Sequence, residues 1–283
     1  MALNGILLID KEPDWTSQDA VAKLRGILHE RRIGHAGTLD PMATGLLVVL
    51  CGRATRAASY AEAEEKEYTA GLRLGVVTDT QDVTGTILRQ AEPCGEEELR
   101  AVLPRFLGRQ LQLPPMYSAI KVNGRRCYDI ARRGGEVERQ PREINVHEIE
   151  LLGRREGDYL LRVRCSKGTY IRTLCHDIGE ALGCGGCMSS LRRERIGGFS
   201  VEDACLVRDA EPGRVLGTDC LFAAFPAVTL TAEQERRCRC GNAFACDEAE
   251  GEARFYSAGG EFLAYGRVSG GQGITIKSFF EVS

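Results

Sequence analysis

The sequence predicts an α+β protein with a largely antiparallel central sheet. Strand-like and helical stretches interleave over the first two hundred residues without the strict strand–helix–strand rhythm that a doubly wound parallel sheet demands. Two strands run in succession at Ile144 to Leu152 and Tyr159 to Cys165, and the second alternates apolar and polar residues with Leu161 and Val163 on its hydrophobic face. The last sixty residues carry Gly-rich turns at Gly259-Gly260 and Gly270-Gly271 around an alternating run, Phe262 to Val268, which suits short hairpins.

In chain order, Gly5 to Asp10 reads as an apolar strand and Lys11-Glu12-Pro13-Asp14-Trp15 as a turn. Ser17 then reads as the N-cap of a helix with Ala20, Val21, Leu24, Ile27 and Leu28 on one face. A glycine-rich stretch from Gly34 leads into a buried strand, Leu46 to Leu50, followed by a short Ala-rich helix and the strand Glu67 to Leu74. Thr78 to Gly85 is polar and turn-like. Glu96 to Leu107 has the stripe Leu99, Val102, Leu103 and Phe106 of an amphipathic helix. Gln110 to Val122 contains Pro114-Pro115 and reads as extended, because adjacent prolines forbid helix and interrupt a ladder. Asn123-Gly124 turns into an expected helix, Arg125 to Arg133. After the two strands, Ser166-Lys167-Gly168-Thr169-Tyr170-Ile171-Arg172 opens a helix running to about Leu182. Residues 201–225 read as a connection, giving domains of 1–225 and 226–283.

Neither end of the composition scale is reached in these 283 residues, whose formal charge is -3, so no uniformly basic nucleic-acid coat is present. Arginines still gather locally, at Arg31-Arg32, at Arg125, Arg126, Arg132 and Arg133 beside Lys121, and at Arg192, Arg193 and Arg195. Each cluster reads either as a solvated face or as a phosphate contact. The first residues lack a basic region before an apolar run, and no apolar stretch approaches 18 residues, so a cytoplasmic protein without membrane insertion is expected. The twelve cysteines are scattered and read as free thiols. Cys184-Gly-Gly-Cys187 has no matching second pair and supplies half of a zinc site, so no metal is expected.

The chemistry-bearing stretch is Gly34-His35-Ala36-Gly37-Thr38-Leu39-Asp40-Pro41-Met42-Ala43-Thr44-Gly45-Leu46-Leu47. Three glycines in a dozen residues make it a shaped loop, and Pro41 holds Asp40 on extended backbone. On its own, Asp40 reads equally as an acid capping its own turn. Tyr68, at a strand start, reads as a core ring with its hydroxyl at a rim. Arg172 is a cation in the first turn of a helix, where the dipole does not favour it.

The fourteen-residue stretch as a whole resembles the catalytic loop of the bacterial tRNA pseudouridine-55 synthases. Further signatures of that family follow in order. They are Lys66-Glu67-Tyr68 before Gly71-Leu72-Arg73-Leu74-Gly75, Met116-Tyr117-Ser118-Ala119-Ile120-Lys121 with Gly124, Ser166 to Arg172, and Gly183-Cys184-Gly185 through Leu191-Arg192-Arg193. The resemblance spans about Asn4 to Ser200. It continues more weakly into residues 226–283, from Leu230-Thr231-Ala232-Glu233-Gln234 onward, as a small β-rich RNA-binding domain of the PUA type.

The resemblance implies a pseudouridine synthase fold and isomerisation of uridine 55 in the TΨC loop of tRNA by base flipping, without cofactor. It implies Asp40 as nucleophile, Arg172 as the cation that pairs with it and holds its pKa down, and Tyr68 stacking on the uracil and serving as a candidate base. Tyr170 and Leu191 would contact the substrate, and His35 would fill the space the base vacates. The expected partner is the T-arm of tRNA, bound by a monomer without guide RNA. Two alternatives stand beside this: a non-catalytic RNA-binding or RNA-folding module, against which Asp40, Tyr68 and Arg172 argue, and a guide-dependent relative acting on ribosomal RNA, a kind that usually carries terminal extensions.

Overall fold

The computed structural model describes residues 3–118, 121–122, 125–126, 130, 135 and 137–280, with the side chains of 121–126 excepted. The first part of the chain runs β1 (Gly5–Lys11), α1 (Ser17–Ile27), β2 (Ile33–Ala36), β3 (Thr44–Cys51), α2 (Ala58–Ala63), β4 (Lys66–Leu74), β5 (Val76–Thr78) and β6 (Ile87–Gln90). It continues through α3 (Glu96–Val102), β7 (Gly108–Gln112), β8 (Lys121–Val122), β9 (Arg125–Arg126), β10 (Arg142–Arg155) and β11 (Asp158–Cys165). Next come α4 (Ile171–Leu182), β12 (Gly186–Ile196) and β13 (Phe199–Ser200). Strands of this part build a nine-stranded sheet in the order β1-β3-β12-β4-β11-β10-β7, with β2 on β3 and β13 on β12. Every pair is antiparallel except β12 with β3, so the expected α+β architecture is what forms.

The alternation of the strand backbone explains the unbroken apolar run of β3. Leu47, Val49 and Cys51 face α1 and pack with Ala20, Val21, Leu24 and Ile33. Leu46, Val48 and Leu50 face the other way and pack with Ala36, Ala54, Ala61 and Ile196. A strand covered on both faces has no solvated side to mark with polar residues. The third and largest core lies under β4, β10, β11 and α4. It takes in Leu39, Ala43, Tyr68, Ile171 and Leu191 and so joins the central loop to the rest of the sheet.

Several element boundaries move for physical reasons. Thr16, not Ser17, caps α1: its hydroxyl accepts from the Asp19 amide at 3.0 Å while the Asp19 carboxylate accepts from the Thr16 amide at 2.9 Å. Ser17 is thereby released for another partner. The helix at Glu96 stops at Val102 and tightens into a 3-10 turn over Leu103–Phe106, because Pro104 has no amide to donate and its ring crowds the preceding turn. Thr78 to Gly85 is the connection of a hairpin, β5 with β6, that the sequence reading missed. Arg125-Arg126, expected to start a helix, pairs instead as β9 with β8, and residues 127–129 and 131–133 of that expected helix lie outside the described residues.

Residues 201–225 are not a free tether. Their backbone crosses the outer edge of β1, where Cys205 bridges Ile9 and Leu216 bridges Ile6, and so occupies donors and acceptors that an edge strand would otherwise present. Beyond them lie β14 (Ala227–Thr229), α5 (Ala232–Arg239), β15 (Phe244–Ala245), β16 (Gly251–Tyr256), β17 (Phe262–Ser269) and β18 (Gln272–Ser278). The five strands form a second sheet, β14-β16-β17-β18-β15, with its own core around Leu230, Phe244, Phe255 and Leu263. Aromatic rings join the two sheets' territories. Phe222 stacks on Tyr265 at 4.5 Å between centroids, and Tyr60 from α2 meets both rings edge-on at 5.2 Å. Among the described residues no helix is long and apolar enough to cross a membrane.

Candidate active site

The loop between β2 and β3 is tied down by hydrogen bonds to its backbone at Gly37, Leu39, Asp40, Pro41 and Ala43. Pro41 occupies the second position of a turn closed by the Ala43 amide donating to the Asp40 carbonyl at 3.0 Å. The released Ser17 hydroxyl accepts from the Leu39 amide at 2.9 Å and donates to the Leu39 carbonyl at 3.2 Å. The Pro41 carbonyl accepts from the Asp14 amide at 2.9 Å and from Lys11 Nζ at 3.2 Å. Gly45, at φ 96°, lets β3 run beside β12, since a Cβ there would stand 2.3 Å from the Arg193 carbonyl. Asp40 is thus presented by a rigid frame built from β1, α1, β3 and β12.

The structure brings Arg172 to that carboxylate from 132 residues away in sequence. Arg172 Nε lies 3.0 Å from Asp40 Oδ2 and Nη2 donates to Oδ1 at 3.2 Å, a two-pronged contact that fixes the plane of the carboxylate. The guanidinium is 6 % exposed and Asp40 keeps 35 % of its side chain open, so the anion faces the cleft and the cation lies behind it. Arg172 is held in turn by the Tyr117 carbonyl at 2.7 Å, the Thr80 carbonyl at 3.2 Å and the Asp82 carboxylate at 3.6 Å. Its place at the start of α4 is therefore reconciled by two carboxylates and two carbonyls.

Tyr68 and Leu191 join this site through the same core as Leu39, Ala43 and Ile171. Tyr68 is buried on β4, and burial pushes its phenol up from the ordinary value. Tyr170, the residue preceding α4, receives a hydrogen bond on its carbonyl from Gln112 Nε2 at 3.0 Å and donates its amide to Gln112 Oε1 at 2.8 Å. His35 lies on β2 and not in a loop. Burial, with Arg193 adding, lowers its pKa, so the ring is held neutral, and its Nδ1 has no hydrogen-bond partner among the described residues.

The expected direction for Asp40 is corrected. Burial raises its carboxyl from the ordinary value, and Asp82 adds to the rise. Arg172 and Lys11 pull the other way without reversing it. Three supporting residues escaped the sequence reading. Asp82 sits in the stretch read as a polar turn, where its carboxylate accepts from the Thr84 amide at 2.9 Å and the Thr80 hydroxyl at 2.9 Å. Lys11, read as part of a turn, is fully buried, and burial lowers its ammonium to about 8. Arg193, read within a surface cluster, is 1 % exposed. Its neighbour Arg192 is clasped by Asp10 at 3.0 and 2.8 Å, so Arg195 alone of that cluster is exposed.

The Cys184/Cys187 pair is split by the fold: Cys184 faces Cys94, and Cys187 faces Cys175. Among the described residues no three His, Cys, Asp or Glu side chains converge as metal ligands.

Comparison with known proteins identifies the family and agrees with the fold. Residues 25–171 match the family model for the TruB family pseudouridylate synthase N-terminal domain, and residues 172–211 match that for the tRNA pseudouridylate synthase B C-terminal domain. The tRNA pseudouridine synthase B of Opitutus terrae is 50 % identical over 204 residues, covering 71 % of this chain and 85 % of that protein. Its counterpart in Azoarcus sp. is 40 % identical over 279 residues, covering 95 % and 92 %. Among solved structures, an H/ACA RNP bound to a substrate RNA containing 2'-deoxyuridine aligns with a TM-score of 0.73 at 25 % identity, covering 99 % of this chain and 86 % of that one. The chain belongs to the TruB family of pseudouridylate synthases.

Proposed function

We propose that the protein converts uridine 55 in the TΨC loop of tRNA to pseudouridine, with Asp40 as the reacting carboxylate. The observation that carries the reading is the Asp40–Arg172 pair: an anion open to the cleft, aimed by a buried two-pronged cation, with Tyr68 beside it. The reaction breaks the bond from N1 to C1′, turns the uracil and joins C5 to C1′, so it needs neither redox cofactor nor metal. Attack on C1′ or on C6, and proton removal from C2′, all start from the same open carboxylate oxygens. A target base stacked inside the T-loop must be turned out at a cost of ~2–3 kcal/mol, and His35, neutral and polar, would occupy the gap. Tyr68 receives the C5 proton late in the reaction, while Tyr170 and Leu191 bound the base. The reading needs tRNA alone, acted on in the cytoplasm by a monomer without guide RNA.

The direct test is incubation with unmodified tRNA followed by mapping of pseudouridine. One new pseudouridine at position 55 supports the reading, and modification elsewhere or none at all removes it.

Because the working form of Asp40 is ionised and burial raises its pKa, kcat/KM should fall on the acid side with a midpoint above the ordinary carboxylate value of ~3.9. A pH–rate profile whose acid limb lies at or below that value would contradict the electrostatics described for the site.

Residues 226–283 are proposed to touch tRNA away from the target loop, as a PUA-like domain. Part of their positive charge is already used within the domain: Arg236 pairs with Glu233, and Arg239 with Glu235 and Glu261. Deleting the segment should therefore weaken tRNA binding modestly and flatten the slope of log affinity against log salt by about one unit per lost phosphate contact. Saturating single-turnover rates should stay within about tenfold. The deletion uncovers Tyr60 and Phe222, so a cooperative thermal transition must accompany the measurement. A folded truncation with unchanged affinity and salt slope would make the domain a cap on the aromatic cluster.

A further inference from the structure

Besides Arg172, three cations are buried in this part of the protein, and among the described residues none of the three is hydrogen bonded or ion-paired to a carboxylate. Lys11 donates to the carbonyls of Glu12, Trp15 and Pro41, and Lys66 to those of Glu62 and Glu64. Arg193, the bulkiest of the three, donates from Nε to the Leu46 carbonyl at 2.7 Å and from Nη2 to the Gly37 carbonyl at 2.9 Å, the two shoulders of the loop. A buried guanidinium is ordinarily paired with an acid, because carbonyl dipoles alone compensate its lost hydration poorly.

The remaining direction of Arg193 is occupied by Tyr68. The two residues are register partners across β12 and β4, so their side chains share one face of the sheet. Both side chains are buried there, so the guanidinium and the phenol face each other inside the sheet and act on each other electrostatically. A guanidinium has donors and no acceptor, so toward Arg193 the phenol oxygen can only accept. The charged and titratable groups acting on Tyr68 are Arg193 from β12, Cys165 from β11 and Asp40 from the loop. Lys11, His35 and Lys66 flank Arg193. Arg193 is thus the cation that acts on this phenol, and it opposes the rise that burial imposes without reversing it.

We propose that Arg193 is the positioning residue for Tyr68: it is the built-in counter-cation of the Tyr68 phenolate and locks that oxygen to the loop bearing Asp40. The inference rests on the reading of Tyr68 as the acceptor of the C5 proton. In that step the phenol O–H proton passes to water, the C5–H bond breaks and the C5 proton lands on the oxygen so freed, the C5–H electron pair forms the C5–C6 double bond, the N1–C6 double-bond pair moves onto N1, and N1 takes a proton from solvent. Tyr68 ends as the phenol it began as, and no oxidant or reductant is involved.

The test compares Arg193→Met, which keeps length and loses charge, in wild-type and Tyr68→Phe backgrounds. Arg193→Met should slow single-turnover pseudouridine formation by about a hundredfold with tRNA affinity held, and should raise the primary isotope effect on a substrate carrying 5-deuterouridine. Titration of the near-ultraviolet phenolate absorption, each protein measured against its own Tyr68→Phe version, should shift to higher pH by about one unit or more when Arg193 is lost. In the Tyr68→Phe background the same change should add little. An equal loss in both backgrounds, or an unchanged phenolate titration, overturns the proposal and makes Arg193 a structural strut. If Arg193→Met has no cooperative thermal transition, Arg193→Lys carries the same comparison: a rate loss confined to the protein that has Tyr68 supports the proposal, and an equal loss in both overturns it. Near-wild-type turnover by Tyr68→Phe would instead sink the reading of Tyr68 itself, a separate result.

Discussion

Asp40→Asn is expected to reduce pseudouridine formation to background while tRNA affinity changes by less than about tenfold, because most binding energy comes from backbone contacts remote from the reacting base. The substitution keeps the shape of the side chain and removes the charge that Arg172 aims. The same change should not destabilise the fold at neutral pH. A carboxyl whose folded pKa is raised binds its proton more tightly folded than unfolded, so its ionisation costs stability. That cost is absent below the unfolded pKa. It grows as pH rises from the unfolded value through the raised folded value, and it persists above. Asp40→Asn should therefore match or exceed the wild-type thermal midpoint at neutral pH, and the gap should close in acid. Turnover above about one per cent of wild type would take Asp40 out of the chemical step, since loss of a sole nucleophile leaves far less.

Tyr68→Phe separates a stacking platform from a proton acceptor. The ring, and with it the packing against Leu39, Ala43 and Leu191, is retained. If the hydroxyl takes the C5 proton, single-turnover conversion should fall by ~100-fold or more with binding intact. Conversion within a fewfold of wild type would leave Tyr68 as a platform alone. A stability effect should accompany the kinetic one, since the change takes the phenol oxygen away from the buried Arg193 guanidinium it faces, at a cost of ~1–3 kcal/mol.

What the sequence made legible follows from where side-chain chemistry meets a local rule. The β3 strand was readable from its apolar run, the amphipathic α1 from its period, and the Asp40 turn from its proline and glycines. Arg172 as the partner of Asp40 was legible through the family signature alone, because no local pattern joins residues 132 positions apart. The supporting charges were hidden for a common reason. Lys11, Asp82 and Arg193 look like ordinary surface residues until tertiary structure buries them, and each is stabilised by backbone groups or neighbouring side chains that composition does not reveal. The sign of the Asp40 shift was missed on similar grounds: an ion pair could be anticipated, whereas the desolvation that outweighs it is a property of the assembled cleft. The boundaries of α1 and α3 turned on single residues, Thr16 and Pro104, whose local effects outweigh the hydrophobic stripe.

The position of β12 bears on how the molecule comes into being. This strand lies in the middle of the large sheet, between β3 and β4, yet it comes after all the other main strands of that sheet in the chain. On the ribosome, β1 can pair with β3, β10 with β11 as a hairpin, and β4 with β11 across the long intervening stretch, leaving two half-sheets whose facing edges stay open until about residue 196 has emerged. The last long strand to be made is then the one that closes the seam, and it delivers Arg193 between Tyr68 on one side and Gly45 on the other. Catalytic competence and relief from the hazard of exposed edges arrive in the same step, so a nascent chain stalled before β12 should be both inactive and prone to misassociation.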